Sequence, residues 1–509
     1  MADNKYDVVI IGSGLGGLIC AAILSKEGMS VCVIEKNEQI GGSLQTFKRD
    51  GVTFDTGVHY VGGLEKGQNL YQIFNYCGIM DRLELARMDK EGFDVVMFKN
   101  DTKEYPYGMG YDNFIRIMLE HFPTEEASIR KYCNDIQNIC RDIPMYNLKA
   151  IGSYPEPALF MQSAKQYFDA LTDNEKLRNV LAGTNMVYAG ISGKTPLYVH
   201  ALVVNSYIES AMKCTAGGDQ IAKLLARVIK ENNGTIFRKK KVTRFVVQNN
   251  EIDHVLCEND EKIYGKTFIS NIHPSVTLDM VQTDLIRNVY RNRIKGLENS
   301  VSIFVAYIVL KPNSWKYRNR NYYYSAQDDV WNILAHTDDN WPQCFAIFEC
   351  AHGKHREHTQ GLAILSYMRY DEVQQWENTT NTTLEESERG EDYQQFKKRK
   401  AERLFDEIET KFPGFKDCIQ SYYTSTPLSY RDYIGSYDGN MYGIVKDFND
   451  PMKTMIASKT KVPNLLLTGQ NVNLHGVLGV SVSAVITCTM LLGKEYLINK
   501  ILAANAQTD

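Results

Sequence analysis

At 509 residues, with 44% hydrophobic and 23% charged side chains, the chain has an ordinary globular balance and exceeds what one hydrophobic core organises, so two or three substructures are expected. A net charge of −4 leaves no basic footprint for nucleic acid. The eleven cysteines are scattered, odd in number and never spaced C-x-x-C, which excludes a disulfide scaffold and points to reduced thiols of a cytoplasmic protein.

No secretion leader is read ahead of the first strand, which begins near Tyr6. The run Val301 to Leu310 is too short to cross a bilayer, and the stretch from Leu465 to Leu492 is interrupted by Gly, Asn, His and Ser. Asp7 to Ile11 reads as a strand, the Gly-rich residues after it as a turn, and Leu18 to Lys26 as a helix. A second apolar strand, Ser30 to Ile34, ends at Glu35 and completes a βαβ unit with a parallel sheet. From Asn113 to Cys140 and from Ser163 to Tyr207, apolar residues recur at helical spacing, which predicts a helical insert interrupting the first domain.

Gly217 and Gly218 open a helix over Ile221 to Asn232, and Asn233-Gly234 closes it before strands around Ile236 and Val242 to Val247. The stretches Ser302 to Leu310 and Cys344 to Phe348, with Trp315, Tyr322, Tyr323 and Tyr324, predict a separate antiparallel sheet that is a candidate substrate domain. On a strand the three tyrosines would alternate faces, so one or two could line an apolar pocket; packing is the equal alternative. Charged residues from Glu385 to Arg403 lead into an amphipathic helix ending near Lys411. The last strand, Asn464 to Leu467, feeds a Gly-rich turn and a closing helix. Asn378 and Asn381 begin N-x-T sequons and read as plain loop residues.

The first motif is Gly12-Ser13-Gly14-Leu15-Gly16-Gly17, with Gly12, Gly14 and Gly17 matching G-x-G-x-x-G between a strand and a helix. Gly12 permits the tight turn, Gly14 lets backbone approach a pyrophosphate at the positive helix end, and Gly17 allows close helix packing. Glu35, at the end of the second strand, can accept hydrogen bonds from an adenosine ribose. A Gly-rich turn in an unliganded Rossmann domain, with Glu35 merely solvated, is the bland alternative.

After Lys36 come Gly41-Gly42-Ser43 and the segment Phe54-Asp55-Thr56-Gly57-Val58-His59-Tyr60. These residues resemble the FAD-dependent oxidoreductase family of all-trans-retinol saturases, carotenoid isomerases and phytoene desaturases. Further along the chain the likeness includes Ala201 to Asn205, Gly217-Gly218, Ser270-Asn271, Met441-Tyr442-Gly443 and Asn464 to Gln470. The resemblance implies FAD held by a Gly-Gly turn at Gly41 and Gly42, with Val242 meeting the adenine through its backbone. It also implies that Gly469 and Gln470 reach the isoalloxazine and pyrophosphate, and that Gly476-Val477-Leu478 opens a helix whose amides could stabilise charge at the flavin pyrimidine. Amine oxidases and many desaturases carry Arg where this chain has Ser43, which argues against an amine oxidase and leaves Lys36 as a candidate to offset the pyrophosphate charge.

The expected fold is therefore α/β: a discontinuous Rossmann-like FAD-binding domain over 1–112, 214–285 and 425–509, with an α+β substrate domain from the helical insert 113–213 and an antiparallel sheet over 286–424. The resemblance implies reduction of a double bond in an apolar polyene or isoprenoid lipid, with desaturation or cis/trans isomerisation as alternatives, and leaves the electron donor or acceptor open. Hydride addition needs a proton at the neighbouring carbon, for which His59, Tyr60 and His475 are the candidates, with a structural role for each nearly as well supported. Extracting an isoprenoid from a membrane costs on the order of ten kcal/mol at about 0.8 per methylene, so loading at a membrane surface is expected. Leu159, Phe160 and Met161 could form a short peripheral contact. The run His352, His355 and His358 is read as a solvated loop rather than a metal site. From another class, the same superfamily includes flavin-free escorts of prenylated small GTPases, against which the intact Gly12, Gly14, Gly17 and Glu35 set speaks.

Overall fold

The computed structural model of the chain describes residues 5–150, 156–350 and 357–506. His352 and His355, and Tyr154-Pro155, lie outside the described residues. Strand β1 (Lys5–Ile11) and strand β2 (Val31–Ile34) pair in parallel and are joined by helix α1 (Leu15–Lys26). Every residue of α1 except Lys26 is buried, because the helix lies between the sheet and two other helices, Asp219–Glu231 and Gly476–Leu492. That position explains why α1 is apolar all round instead of amphipathic.

The first sheet runs Thr235–Phe237, β2, β1, Lys262–Ser270, Glu251–Cys257, Val242–Gln248, and Leu465–Leu467 pairs in parallel with the last residues of Lys262–Ser270. The sheet is thus a Rossmann-like α/β layer assembled from three stretches of chain. Its pair of strands Glu251–Cys257 and Lys262–Ser270 has no counterpart in the elements read from the sequence, although Lys262–Ser270 lies directly beside β1.

The second sheet runs Ile419–Ser425, Ser302–Leu310, Gly361–Met368, Cys344–Glu349, Asn321–Ser325, Asp94–Phe98, Tyr105–Tyr107. It is antiparallel except where Asn321–Ser325 meets Asp94–Phe98. Segment 1–112 therefore supplies strands to both sheets. Ser302–Leu310 shows the period of two expected of a strand. Ile303, Val305, Tyr307 and Val309 pack toward the helical insert, while Phe304, Ala306, Ile308 and Leu310 pack on the side covered by the helix Gly390–Lys411. Tyr322 and Tyr324 share that second side, and Tyr323 points the opposite way, inward.

The insert contains the helices Tyr111–His121, Glu126–Arg141, Ala164–Leu171, Glu175–Leu181 and Leu197–Glu209. A small sheet of Val61–Gly62, Ala211–Cys214 and Leu85–Arg87 links the insert to the first domain. All eleven cysteines are free thiols. No helix among the described residues is long and apolar enough to cross a membrane.

Close packing of α1 on the turn is set at Gly17, where a β-carbon would stand 2.2 Å from the carbonyl oxygen of Gly12. The atom in the way is backbone, which cannot yield as the far end of a flexible side chain could, and the Asn271 side chain stands 3.3 Å away on the other side. Gly17→Ala is expected to cost about 1–3 kcal/mol of stability, read as a lower urea midpoint. A wild-type midpoint in that variant would refute the packing of α1 on the turn.

Candidate active site

The end of β1 turns at Gly12, whose φ of +92° is open to glycine and strained for other residues. Ser13, fully buried, donates to Glu35 Oε2 from both its backbone N–H (2.9 Å) and its hydroxyl (2.6 Å), and the Asn37 N–H donates to Glu35 Oε1 at 2.9 Å. Glu35 thus ties the glycine turn to the end of β2 while its remaining lone pairs face the cavity it lines. Gly41 N–H donates to the Ser13 carbonyl at 3.0 Å, which fastens the Gly41-Gly42-Ser43 turn against the first one.

Five residues of the Phe54 to Tyr60 segment have separate tasks. Asp55 accepts from the Gly218 N–H at 2.6 Å, holding the start of the helix Asp219–Glu231. Thr56 donates its hydroxyl to the Gln45 carbonyl at 2.9 Å, and a β-carbon on Gly57 would meet the Ser43 carbonyl oxygen at 3.0 Å. The His59 ring stacks on Phe348 at 4.3 Å. The Tyr60 hydroxyl lies 2.9 Å from Asp94 Oδ2 and 2.7 Å from the Tyr323 hydroxyl, and its ring stacks on Tyr207 at 4.3 Å.

These parts open on one cavity of about 890 Å3. It is lined by Gly12, Gly14, Leu15, Gly16, Glu35, Lys36, Gly41, Gly42, Ser43, His59, Tyr60, Val242, Gly469, Gln470, His475, Gly476, Val477 and Leu478. Gly17, behind the turn, is the one candidate from the sequence that does not line it. From the glycine turns the cavity continues to Ile143, Met145, Phe160, Tyr198 and Leu202 of the helical insert and to Phe348 and Leu365 of the second sheet. A polar end and an apolar end share one space.

The charges lining the cavity are five lysines, Lys36, Lys240, Lys241, Lys446 and Lys494, against the single carboxylate of Glu35. Such a balance suits an anionic ligand. Lys36 Nζ donates to the Asp432 carbonyl at 2.9 Å, and its burial lowers its pKa. Lys446 Nζ donates to the Thr454 carbonyl at 3.2 Å, and burial brings it down to about 8.

Burial and the nearby charge of Lys213 hold the His59 imidazole at about 3, and burial together with Lys446 holds His475 at about 4. Both rings are neutral at neutral pH. His475 Nε2 is buried and lacks a hydrogen-bond partner among the described residues. Asp55 and Asp94 move the other way: desolvation raises each to about 7 against the hydrogen bonds that favour the carboxylate. Lys213, 1% exposed, sits among these groups and donates to the Glu349 carbonyl at 3.2 Å.

Sequence reasoning missed Asp94, Lys213 and Lys446, and it gave Asn271 no role beyond its place in the family likeness. The signal available for Asp94 and Lys213 was a lone charge within an apolar stretch, which a buried strand tolerates only with partners. Asn271 follows the central strand; its amide donates to the Gly12 carbonyl at 3.4 Å, and its backbone N–H donates to the Ile11 carbonyl at 2.9 Å.

Comparison with known proteins places this geometry among relatives. A family model described as an NAD(P)-binding Rossmann-like domain matches residues 10–77. The all-trans-retinol 13,14-reductase of Rattus norvegicus is 25% identical over 542 residues, covering 97% of this chain and 86% of the relative. The chloroplastic prolycopene isomerase 2 of an Oncidium hybrid cultivar is 24% identical over 479 residues, 86% of this chain and 75% of the relative. Among solved structures, putrescine oxidase bound to putrescine superposes with a TM-score of 0.63 at 14% identity, covering 98% of this chain and 99% of that one, which shows a shared fold. The likeness to retinol saturases and carotenoid isomerases read from the motifs thus extends over nearly the whole chain.

The low pKa of His59 carries a stability consequence. An ordinary imidazole titrates near 6.5 when unfolded, so the unfolded chain binds more protons than the native one between about pH 6.5 and 3. The stabilisation from keeping His59 neutral is present above 6.5 and is lost as pH falls toward 3. His59→Phe is therefore expected to lose less stability than wild type between about pH 7 and pH 5, measured by urea midpoints. Parallel pH profiles would mean that the ring titrates freely.

Proposed function

We propose that this protein is an FAD-dependent oxidoreductase that reduces a carbon–carbon double bond of an apolar polyene or isoprenoid lipid. The observation that carries the reading is the single cavity joining a dinucleotide-type glycine turn and Glu35 to an apolar arm between the helical insert and the second sheet. The 25% identity to a protein named all-trans-retinol 13,14-reductase supports the substrate class.

The residues present fit the cofactor. Gly12, Gly14 and Gly16 bring backbone and a helix N-terminus to the cavity for the pyrophosphate, Glu35 faces the ribose position, and the five lysines offset phosphate charge. Val242 is assigned to the adenine, Gly469 and Gln470 to the isoalloxazine side, and Gly476, Val477 and Leu478 to the pyrimidine end, beside the unpartnered His475 Nε2. Bound there, FAD supplies the hydride.

The chain's own residues do the rest. Phe348, Leu365, Leu202 and Phe160 exclude water from the double bond. His59 and His475, neutral in this setting, are assigned to shaping and hydrogen-bonding the cavity, and Tyr60 to handing over the proton. Phe160 lines the apolar arm while neighbouring Met161 is 57% exposed, which favours loading from a membrane surface at the short helix Pro157–Met161 that carries both.

Purified protein is expected to carry yellow flavin near 1:1. Gly14→Asp is expected to lose it, because the carboxylate would enter the place of the pyrophosphate; a folded Gly14→Asp protein with full flavin would overturn the assigned site. Colourless wild-type protein would favour a flavin-free binding protein instead.

Under anaerobic conditions, chemically reduced protein given a retinoid or carotenoid-like polyene is expected to yield a product two hydrogens heavier, with flavin oxidised in matching amount. Unchanged mass with altered geometry would assign isomerisation, the activity named for the Oncidium relative.

A further inference from the structure

Asp94 begins a buried strand of the second sheet, is 1% exposed, and faces no bulk water. Asn321 Nδ2 donates to its Oδ1 at 2.8 Å, and the Tyr60 hydroxyl stands 2.9 Å from its Oδ2. Tyr60 is also a wall of the cavity. A carboxyl group sealed behind a cavity-lining phenol has one exit for its proton, through that phenol. We propose that Asp94 and Tyr60 form a two-step proton relay, with Asp94 the reservoir and Tyr60 the group that protonates the substrate. This inference rests on the reading of the site as a double-bond reductase.

The direction of the hydrogen bond depends on the state of Asp94. As a carboxylate it accepts from Tyr60, whose single proton is then occupied. As a carboxylic acid it donates to the Tyr60 oxygen, and the phenolic proton turns to Tyr323, 2.7 Å away, or to a substrate atom. The groups that face Asp94 are Tyr60, Asn321 and Tyr323 from the neighbouring strand, Tyr107 from the strand on the other side, Tyr207 from the insert, and Lys213 from the small sheet. Burial outweighs the hydrogen bonds from Asn321 and Tyr60 and the charge of Lys213, so the acid form is populated at neutral pH.

The step balances as follows. One alkene carbon receives the hydride and its electron pair from the reduced flavin of the proposed function. The neighbouring carbon takes the Tyr60 proton as the phenol O–H bond breaks, and the Asp94 proton moves to the phenolate oxygen, leaving a carboxylate that is reprotonated back through Tyr60 from water entering the emptied cavity between turnovers. Asp94 touches no reacting atom. It is a positioning residue that keeps Tyr60 charged with a proton.

The test is infrared titration of the protein as purified from about pH 5 to about pH 9, following the C=O stretch of protonated carboxyls. A wild-type band is expected to disappear with a midpoint near 7 and to be missing in Asp94→Asn. Tyr60→Phe removes a hydrogen bond that favours the carboxylate, so its midpoint is expected to move up in pH. In anaerobic mixing of reduced protein with polyene, Asp94→Asn is expected to slow flavin oxidation roughly a hundredfold and to flatten its pH profile, the signature of a lost proton source. The relay is overturned if wild type and Asp94→Asn share the same carboxyl bands, or if Asp94→Asn keeps the wild-type pH profile. Should Asp94→Asn not fold, an unchanged midpoint in Tyr60→Phe overturns it. Failure of the proposed function would appear separately, as wild-type protein without flavin or without polyene reduction, and the infrared arm still decides the link between Asp94 and Tyr60.

Discussion

Asn271 is packed where side chains are otherwise excluded. A β-carbon on Gly14 would stand 2.8 Å from its Nδ2, and one on Gly16 or Gly469 would stand 2.6 or 2.7 Å from its Oδ1. The end of β1, the start of α1, the end of the central strand and the turn before the helix Gly476–Leu492 therefore meet at backbone distance around a single amide. Glycine at these positions is a steric requirement, and it brings segments more than 400 residues apart in sequence to one edge of the sheet. A helix N-terminus, with its unpaired amides, is thereby held against the cavity mouth.

The second sheet completes what that edge begins. Its inner face, carrying Ile303, Val305, Phe348 and Leu365, is buried against the helical insert, while its outer face is covered by Gly390–Lys411, so both faces are apolar. The cavity lies where the inner face approaches the glycine turns. Lysines gather along a space whose other end is hydrocarbon. An anionic, partly apolar ligand suits one end, and a lipid-like one suits the other.

Low dielectric governs the polar groups between the two ends. Burial penalises whichever protonation state is charged, so His59 and His475 are held neutral while Asp55 and Asp94 tend toward their acid forms. Lys213 is the buried cation near this cluster; it depresses His59 further and moderates the rise of both carboxyls. The result is a set of hydrogen-bonded, mostly uncharged groups beside an apolar chamber, in which a single proton can be held and passed on without building a large unsolvated charge.

Local pattern made much of this legible before any contact was known. The apolar runs on either side of Gly12 to Gly17 and Glu35 dictate strand, turn, helix and strand, because each signal lies within a few residues of the next and tests one period at a time. Ser302–Leu310 and Cys344–Glu349 were readable as strands for the same reason. The strand Lys262–Ser270 escaped, since Lys266, Thr267 and Gly265 break its apolar run and its neighbours, β1 and Leu465–Leu467, are remote in the chain. Asp94–Phe98 went unread as a strand, and its partner strand Asn321–Ser325 begins 227 residues later. The sequence by itself determined the glycine turn, the acidic end of β2 and the helical insert, because short-range sterics and periodicity specify them. Only the tertiary structure decided that Asp94 stands behind Tyr60, that the charge of Lys213 is felt at His59, and that the polar and apolar ends share one cavity, because pairing across hundreds of residues leaves no periodic trace in either partner.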